Sequence, residues 1–170
     1  MFRMTKRGIE SLDDPSGLLL ADRQAGVPGS AVVAVLEGHR PVLVEVQALV
    51  SPRPAGSGGF GTRTVTGLVP RRIDLILAVL AQRAQLDLSS ADVFVSVAGG
   101  LTVREPAADL AIAAAVVSSA TLRAVPGDVM MLGEVGLTGE LRSVPEPSRR
   151  ISEAARLGFS RIVAPRDRSV

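Results

Sequence analysis

Side chains that could carry out catalysis are scarce in this sequence. Its 170 residues include no cysteine, tyrosine or tryptophan, and the only histidine and the only lysine are His39 and Lys6. Thiol catalysis, thiolate zinc sites and disulfides are therefore excluded, and a side-chain base of the usual kind for activating a serine has to be His39 or Lys6. Because His39 lies between Gly38 and Arg40 in a predicted hairpin loop, we interpret it as an exposed turn residue.

Paired acidic residues are the next candidates, since two carboxylates can bind a cation or act as acid and base. Asp13 and Asp14 directly precede Pro15. This pair fits a helix cap followed by proline at the first helical position. Glu105 and Asp109 stand at the beginning of a long apolar segment, where acids complement the positive end of a helix dipole. We therefore predict no metal site in this chain.

The glycine pattern argues against a nucleotide site. The sequence has no G-x-x-x-x-G-K-[ST] motif, and Gly133, Gly136 and Gly139 recur at every third residue rather than as G-x-G-x-x-G. Such spacing is typical of a turn. No cofactor is expected in this chain.

Arginine is the informative charged residue, because all but one of the 19 lysine and arginine residues are arginine. Arg71 and Arg72 begin one predicted helix. Arg149 and Arg150 lie early in another, and Arg156 follows about two turns later. These guanidinium groups are candidates for contacts to DNA phosphates or to carboxylates of a neighbouring subunit. The alternative, ordinary solvated helix faces, stays open, since the net charge is only +2.

Hydrophobic patterning predicts the elements that position these residues. Valine-rich runs at 31–36 and 42–50 predict two strands joined as a hairpin. Further strands are predicted at 93–97, 129–133, 140–144 and 161–164, and helices at 71–86, 106–120 and 147–157. Paired strands together with packed helices indicate an α/β (α+β) fold with a mixed sheet.

The chain is predicted to form one main domain at 29–165, preceded by an arm at 1–28 and followed by a charged tail at 166–170. The consecutive leucines at 18–20 would dock the arm onto the domain. The loop at 51–63 is rich in Gly, Pro and Ser, so capture of a protein partner through this loop is one alternative function. We expect no membrane span and, because cysteine is absent, a cytoplasmic location.

Several blocks of the sequence carry a resemblance to a known family. In chain order these blocks are FRMTKRGIE, DDPSGLLLADR, VPGSAVVAVLEGHRPVLVEVQALVS, RIDLILAVLAQR, VAGGLTVREPAADLAIAAAVVSS and LGEVGLTGELRSV. Nearly the whole chain resembles the C-terminal Lon-protease-like domain of the RadA (Sms) family of bacterial DNA repair proteins. The resemblance implies a Lon proteolytic-domain-like fold.

The same resemblance bears on peptidase chemistry. The Lon proteolytic domain uses a serine in a G-P-S-A-G setting at the start of its central helix, and a lysine early in the helix after the last hairpin. The first setting here reads Glu105–Asp109, EPAAD, which puts Ala107 at the nucleophile position. The lysine position falls at Ser148, or at Arg149 in a register shifted by one. None of these residues can perform its role in the dyad, so the resemblance implies an inactive peptidase.

What the family implies for function comes from its whole proteins, which combine a zinc-binding module, a RecA-like ATPase and this domain. They are DNA-dependent ATPases of recombinational repair that promote branch migration. Their Walker motifs, zinc cysteines and KNRFG segment do not occur in this chain. ATP, Mg and Zn are therefore expected only in upstream domains. The implied partners are the upstream ATPase domain, further copies in a hexameric ring, and single-stranded or branched DNA.

Two functions follow as expectations. The first is a proteolytically inactive Lon-like domain that acts as an oligomerisation scaffold and an auxiliary platform for DNA contact. The alternative is a serine peptidase with altered catalytic residues, in which Ser96, Ser118 or Ser148 acts with an unconventional base.

Overall fold

The valine-rich runs form the two central strands of the fold, as expected for β-branched side chains on a pleated surface. The structure is a computed structural model that describes residues 2–5, 8–11, 14–54 and 58–166. The strands are β1 (Phe2–Thr5), β2 (Gly8–Ser11), β3 (Ser30–Glu37), β4 (Arg40–Pro52), β5 (Arg63–Thr66), β6 (Ala91–Val97), β7 (Val129–Met131), β8 (Glu134–Val135), β9 (Leu141–Arg142) and β10 (Arg161–Val163). The helices are α1 (Pro15–Leu20), α2 (Pro70–Arg83), α3 (Asp109–Thr121) and α4 (Pro147–Arg156).

Six of these strands form one mixed sheet in the order β10-β7-β3-β4-β6-β5. The β3–β4 hairpin and the β4–β6 pair are antiparallel, whereas the other three neighbouring pairs are parallel. Helix α3 packs against β3 and β4, α2 packs on α3, and α1 and α4 also contact β4. The prediction of a mixed α/β fold is confirmed.

The central helix is apolar on nearly all sides because it lies in the core. Ala111, Ile112, Ala115 and Val116 of α3 are buried against the sheet. The predicted helix at 106–120 is divided, since a 3-10 turn (Pro106–Ala108) precedes the regular α3. The predicted helix at 71–86 ends at Arg83.

Two predictions about strands need correction. The predicted loop at 51–63 is shorter, because β4 continues to Pro52 and β5 begins at Arg63; β5 was not expected, since its four residues are too few for a clear alternation. The predicted strands at 129–133 and 140–144 do not pair with each other. β7 joins the main sheet, whereas β8 and β9 form a separate two-stranded ribbon around the turn at Gly136 and Gly139. The turn expected from the glycine spacing is therefore present, but it begins later.

The N-terminal segment pairs β1 with β2 and then enters α1. Asp14 caps α1 as expected, because its Oδ1 accepts the backbone N–H of Gly17 at 3.0 Å. Leu19 and Leu20 pack partly against the core, while Leu18 is 47% exposed. Lys6, Asp13, residues 55–57 of the predicted loop and residues 167–170 of the predicted tail lie outside the described residues. None of the described helices is long and apolar enough to cross a membrane.

Candidate functional site

The turn that begins α3 is the position that the resemblance identifies with a nucleophile, and its backbone is hydrogen-bonded to a neighbouring segment. Ala107 is 1% exposed and carries no reactive group. Its carbonyl oxygen accepts the N–H of Gly133 at 3.1 Å, and the carbonyl oxygen of Gly133 accepts the N–H of Leu110 at 3.2 Å. These two hydrogen bonds attach the start of α3 to the segment between β7 and β8.

An ion pair between a fully buried arginine and a partly exposed glutamate holds the chain just before this turn. Nη1 and Nη2 of Arg150 in α4 lie 2.9 and 2.6 Å from the two carboxylate oxygens of Glu105, in a bidentate arrangement. The guanidinium also donates to the carbonyl oxygens of Ala34, at 2.6 Å, and Pro145, at 2.9 Å. Glu105 further accepts the N–H of Leu36 at 2.7 Å. Arg150, with 0% of its surface exposed, therefore ties α4, β3 and the turn together.

A second ion pair holds the chain just after the turn. Arg72 in α2 donates through Nε to Oδ1 of Asp109 at 2.8 Å, and its Nη2 contacts Oδ2 of the same carboxylate. Asp109, 1% exposed, also accepts the N–H of Val135 at 3.0 Å. Oε1 of Glu134 lies 3.4 Å from Nη2 of Arg72 and is a second acidic partner of this guanidinium. The hydrogen bond to Asp109 is the main cause that raises the pKa of Arg72.

We call these two pairs, Arg150–Glu105 and Arg72–Asp109, the arginine clamps. They bracket Ala107 in sequence and fix the turn from both sides. Sequence reasoning assigned Glu105 and Asp109 to the helix dipole and missed their arginine partners. The available signal was the pair of acids around an apolar turn together with arginines that each begin a helix.

The clamps also place the predicted site residues of α4. Ser148 and Arg149 are exposed, whereas Arg150 is the residue of the first turn of α4 that reaches the segment around Ala107. Arg150 was predicted to contact DNA or a subunit. That expectation needs correction, because a side chain buried in the core has no surface to offer such a partner.

A cleft of about 750 Å³ lies between the β3–β4 hairpin and α4. We call it the α4 cleft, and its lining residues are Glu37, His39, Arg40, Pro41, Ser148, Arg149, Ser152, Glu153 and Arg156. The structure thus brings Arg149, Arg156 and Ser148 together with His39. Arg72 instead forms a clamp, and Arg71 is exposed at the start of α2 and does not line the cleft.

Arg149 has the most accessible guanidinium of the predicted set in the cleft. Its side chain is 58% exposed and forms an ion pair with Glu146 at 3.3 Å. Its Nη1 lies 3.5 Å from the carbonyl oxygen of His39, at the limit of a hydrogen bond. Pro147 begins α4, and no side chain caps the N-terminus of this helix. The N–H groups of Ser148 and Arg149 in that first turn and the positive end of the helix dipole favour an anion at this edge of the cleft.

Arg156 is occupied by acidic neighbours. Its Nη2 lies 2.9 Å from oxygens of both Asp14 and Glu153, and its Nε donates to Glu153 at 2.9 Å. These bonds lower the pKa of Glu153, and the N–H of Gly17 together with Arg156 lowers the pKa of Asp14. The cluster connects α1 to α4, because Ser16 also donates to Glu153 at 2.8 Å.

The other candidate residues are dispersed. Ser118 is buried and donates to the carbonyl oxygen of Arg123 at 2.6 Å. Ser96 lines a different groove on the sheet. His39 shares the α4 cleft with Ser148, but no hydrogen bond joins their side chains in the described part of the chain. Among the described residues, no group of three or more His, Asp or Glu residues is arranged to hold a metal ion.

Comparison with known proteins supplies the family. A family model described as "Subunit ChlI of Mg-chelatase" matches residues 71–168. The DNA repair protein RadA of Halalkalibacterium halodurans is 45% identical over 165 residues, which cover 97% of this chain and 35% of the relative. RadA of Mycolicibacterium smegmatis is 46% identical over 164 residues, covering 96% and 34%. RadA of Bacillus subtilis is 42% identical over 165 residues, covering 97% and 35%.

The chain thus spans about a third of the length of these curated relatives. The resemblance predicted from the sequence blocks is confirmed, since the identity extends over almost the whole chain. With the family match covering more than half of its residues, the chain belongs to the ChlI family and is similar along nearly its entire length to a portion of the RadA DNA repair proteins.

Proposed function

We propose that this chain is a Lon-like domain without peptidase activity in a DNA repair protein, where it serves as a scaffold for oligomerisation and as an auxiliary platform for DNA contact. The names of its relatives support DNA repair as the process. Processing of recombination intermediates by branch migration would be the activity of the longer, cytoplasmic protein. ATP, Mg²⁺ and Zn²⁺ would act in its other parts, including a RecA-like ATPase domain.

The main support for the proposal is that Ala107 is buried between the two arginine clamps. A serine nucleophile at this position would need a hydroxyl and a neighbouring base, but the position holds a buried methyl group between two arginine clamps. The cation that α4 directs to this region is a guanidinium, which stays protonated and cannot accept a proton. The site is therefore built to hold elements together.

The α4 cleft supports contact with phosphates. Arg149 and Arg40 lie beside the uncapped start of α4, and Ser148 and Ser152 add hydroxyl groups. Guanidinium groups and helix N-termini both favour phosphate oxygens. Because phosphate contacts carry no base sequence information, the DNA contact would be insensitive to sequence.

A salt titration tests this role. Binding of the chain to a fluorescently labelled oligothymidylate is measured by anisotropy over a range of NaCl concentrations. Each phosphate contact contributes about 0.7 to the slope of log affinity against log salt for a single strand. We expect Arg149→Ala to weaken binding and to lower that slope by roughly one contact. The matched control is Arg123→Ala, an exposed arginine at the far end of α3.

An unchanged slope for Arg149→Ala, or equal losses in both variants, would remove the α4 cleft from the proposal. The scaffold role needs the full-length protein, and mass photometry of the Arg71→Ala variant measures it. Arg71 is exposed, so a smaller hexamer fraction is expected if α2 contributes to a subunit contact. A normal hexamer would exclude Arg71 from the ring interface.

The alternative function, a serine peptidase with altered residues, is favoured only by Ser148 and His39 sharing the α4 cleft. A fluorophosphonate probe decides between the two functions, because it labels an activated serine stoichiometrically. The proposal expects no adduct. An adduct on Ser148 that disappears in the His39→Ala variant would establish a peptidase and overturn the proposed function.

A further inference from the structure

A groove of about 540 Å³ opens on the sheet where β4, β6 and β5 lie side by side. Leu49 is paired with Phe94 across β4 and β6, and Phe94 with Thr64 across β6 and β5, so these residues share one face. Val27 forms part of the groove wall. Leu49 is 59% exposed, Val27 45% and Phe94 39%. Three large apolar side chains thus meet at a surface that no described element covers.

The charged residues of this groove are all acidic. Asp22 lies exposed at its rim, and Glu45 lies at its base with 4% of its surface exposed. Glu45 accepts hydrogen bonds from Ser30 and, at 3.0 Å, from Gln47. No arginine is among the lining residues, although arginine is the commonest charged residue of the chain. An occupant that suits this groove combines an apolar group with a cation.

The chain itself presents such a combination. Phe60 is 88% exposed, more than any other large apolar side chain that the structure describes. Nη1 of Arg53 donates to the carbonyl oxygen of Phe60 at 3.0 Å, so the guanidinium is held beside the aromatic residue. Phe60, fully at the surface, and the partly exposed Arg53 therefore form an apolar and cationic pair.

We propose that the groove of one copy receives Phe60 and Arg53 of a second copy of this chain. Phe60 would enter the apolar area formed by Val27, Leu49 and Phe94, where burial of an aromatic ring supplies most of the attraction. Arg53 would lie against Asp22 at the rim and set the orientation of the contact. This proposal rests on the oligomerisation role proposed above, for which it names one contact, and it does not depend on DNA binding or on the absence of peptidase activity. A full-length protein that still forms hexamers while this contact fails would overturn the contact and leave the scaffold role standing.

Self-association tests the contact directly. Sedimentation velocity of the chain over a range of concentrations is expected to show reversible association. Phe60→Ala and Leu49→Ala are each expected to weaken it at least about tenfold, the usual effect of removing a central apolar side chain from an interface. Circular dichroism melting of each variant verifies that the domain still folds. Leu122→Ala is the matched control, since Leu122 is 79% exposed and lies outside the groove.

A charge exchange identifies the two partners. Arg53→Glu and Asp22→Arg, each alone, place like charges opposite one another and are expected to be monomeric. An equimolar mixture of the two variants restores opposite charges at every contact, so the mixture is expected to associate again. Asp74→Arg, on an exposed position of α2, is the control for a charge reversal outside the groove; because its Asp22 and Arg53 are intact, it is expected to associate like the unmodified chain.

Three results would overturn the proposal. The first is a chain that stays monomeric at all concentrations tested. The second is association that persists unchanged in Phe60→Ala, which would place the contact elsewhere. The third is a mixture of Arg53→Glu and Asp22→Arg that remains monomeric although the unmodified chain associates, which would show that these two residues do not meet.

Discussion

Arg149 and Arg150 are neighbours at the start of α4, yet they occupy opposite environments. The Arg149 side chain is 58% exposed and meets one carboxylate and the edge of a carbonyl group. Arg150 has none of its surface exposed and directs donors at Glu105 and two buried carbonyl oxygens. One step along a helix rotates a side chain by about 100°, which is enough to separate a surface contact from a core contact.

Because neighbouring arginines can lie on the surface and in the core, arginine content alone does not indicate a nucleic-acid surface. In the core, a guanidinium with five donors can satisfy several carbonyl and carboxylate oxygens at once. In the α4 cleft, Arg149 keeps donors free for an external anion. The role of each arginine is therefore set by its position on the helix.

The largest expected effect is on the buried member of the pair. Arg150→Ala removes the donor that Arg150 supplies to the carbonyl oxygens of Ala34 and Pro145, and it leaves the Glu105 carboxylate with only the N–H of Leu36. Removing one partner of a buried ion pair costs about 3–5 kcal/mol of unfolding free energy, and because 26% of the Glu105 side chain is exposed, we expect a loss toward the lower end of that range. Urea denaturation at pH 7 measures this loss, and Arg150→Lys is expected to recover only part of it, because a lysine cannot make the bidentate contact.

The matched control is Arg149→Ala, which is expected to change the unfolding free energy by less than about 0.5 kcal/mol, as is usual for an exposed side chain. An equal loss of unfolding free energy in the two variants would mean that burial does not make Arg150 more important for stability than Arg149.

The second effect concerns the other clamp. Asp109→Ala removes the acceptor of Arg72 and leaves the buried N–H of Val135 without a partner. We expect a loss of about 2–4 kcal/mol in unfolding free energy. The loss should be smaller than for Arg150→Ala, because Arg72 keeps Glu134 as an acceptor, whereas Arg150→Ala also removes a donor from two carbonyl oxygens. A loss of unfolding free energy larger than that of Arg150→Ala would show that the Arg72–Asp109 clamp contributes more to stability than the Arg150–Glu105 clamp.

A third, smaller effect is expected at Ser16, which is fully buried between the arm and the domain. Its hydroxyl donates to Glu153 at 2.8 Å and accepts the N–H of Leu43 at 3.1 Å. Ser16→Ala should cost about 1–2 kcal/mol, the price of leaving one buried N–H unpaired. Hydrogen exchange of the Leu43 amide in Ser16→Ala provides a local measurement. Unchanged protection would mean that Ser16 does not shield the Leu43 amide from solvent.

Most of the fold could be predicted from periodicity. The alternation of valines indicated the strands β3 and β4. A helix segment that is apolar on all sides indicated a buried central helix, because only a helix surrounded by other elements needs no polar face. β5 escaped notice because four residues between glycines give too short a pattern. The two-stranded ribbon was misassigned because the chain leaves the main sheet near Gly133, whose N–H bonds to the carbonyl oxygen of Ala107, a residue distant in sequence.

The site was less predictable for a physical reason. On α4 the apolar Ile151 is 37% exposed, whereas Arg150, predicted to contact DNA or a subunit, is buried. Arg150, Ala154 and Leu157 follow the i, i+4, i+7 spacing of a buried stripe. A charged residue is normally assigned to the exposed face, so only knowledge of its distant partner Glu105 could have revealed this exception.

The weakest effect should come from Arg156, the exposed counterpart of the clamps. It contacts Asp14 and Glu153 on the surface, where solvent screens the attraction. Both carboxyl groups have pKa values below their ordinary values of 3.8 and 4.5. A carboxyl with a lowered pKa in the folded state stabilises the fold above the unfolded pKa, and this contribution disappears as the pH falls through the folded value.

For Arg156→Ala we therefore expect a small decrease in the urea midpoint at pH 7 that narrows at pH 3, because protonation of Glu153 and Asp14 weakens the same contacts in the unmodified chain. Arg150→Ala should instead remain strongly destabilised at both values, since its bonds to the carbonyl oxygens of Ala34 and Pro145 do not titrate. Urea midpoints of the three proteins at the two pH values measure both trends. A difference between Arg156→Ala and the unmodified chain that stays constant with pH would mean that the surface cluster does not act through these carboxylates, and the contrast between core and surface arginines would then rest on burial alone.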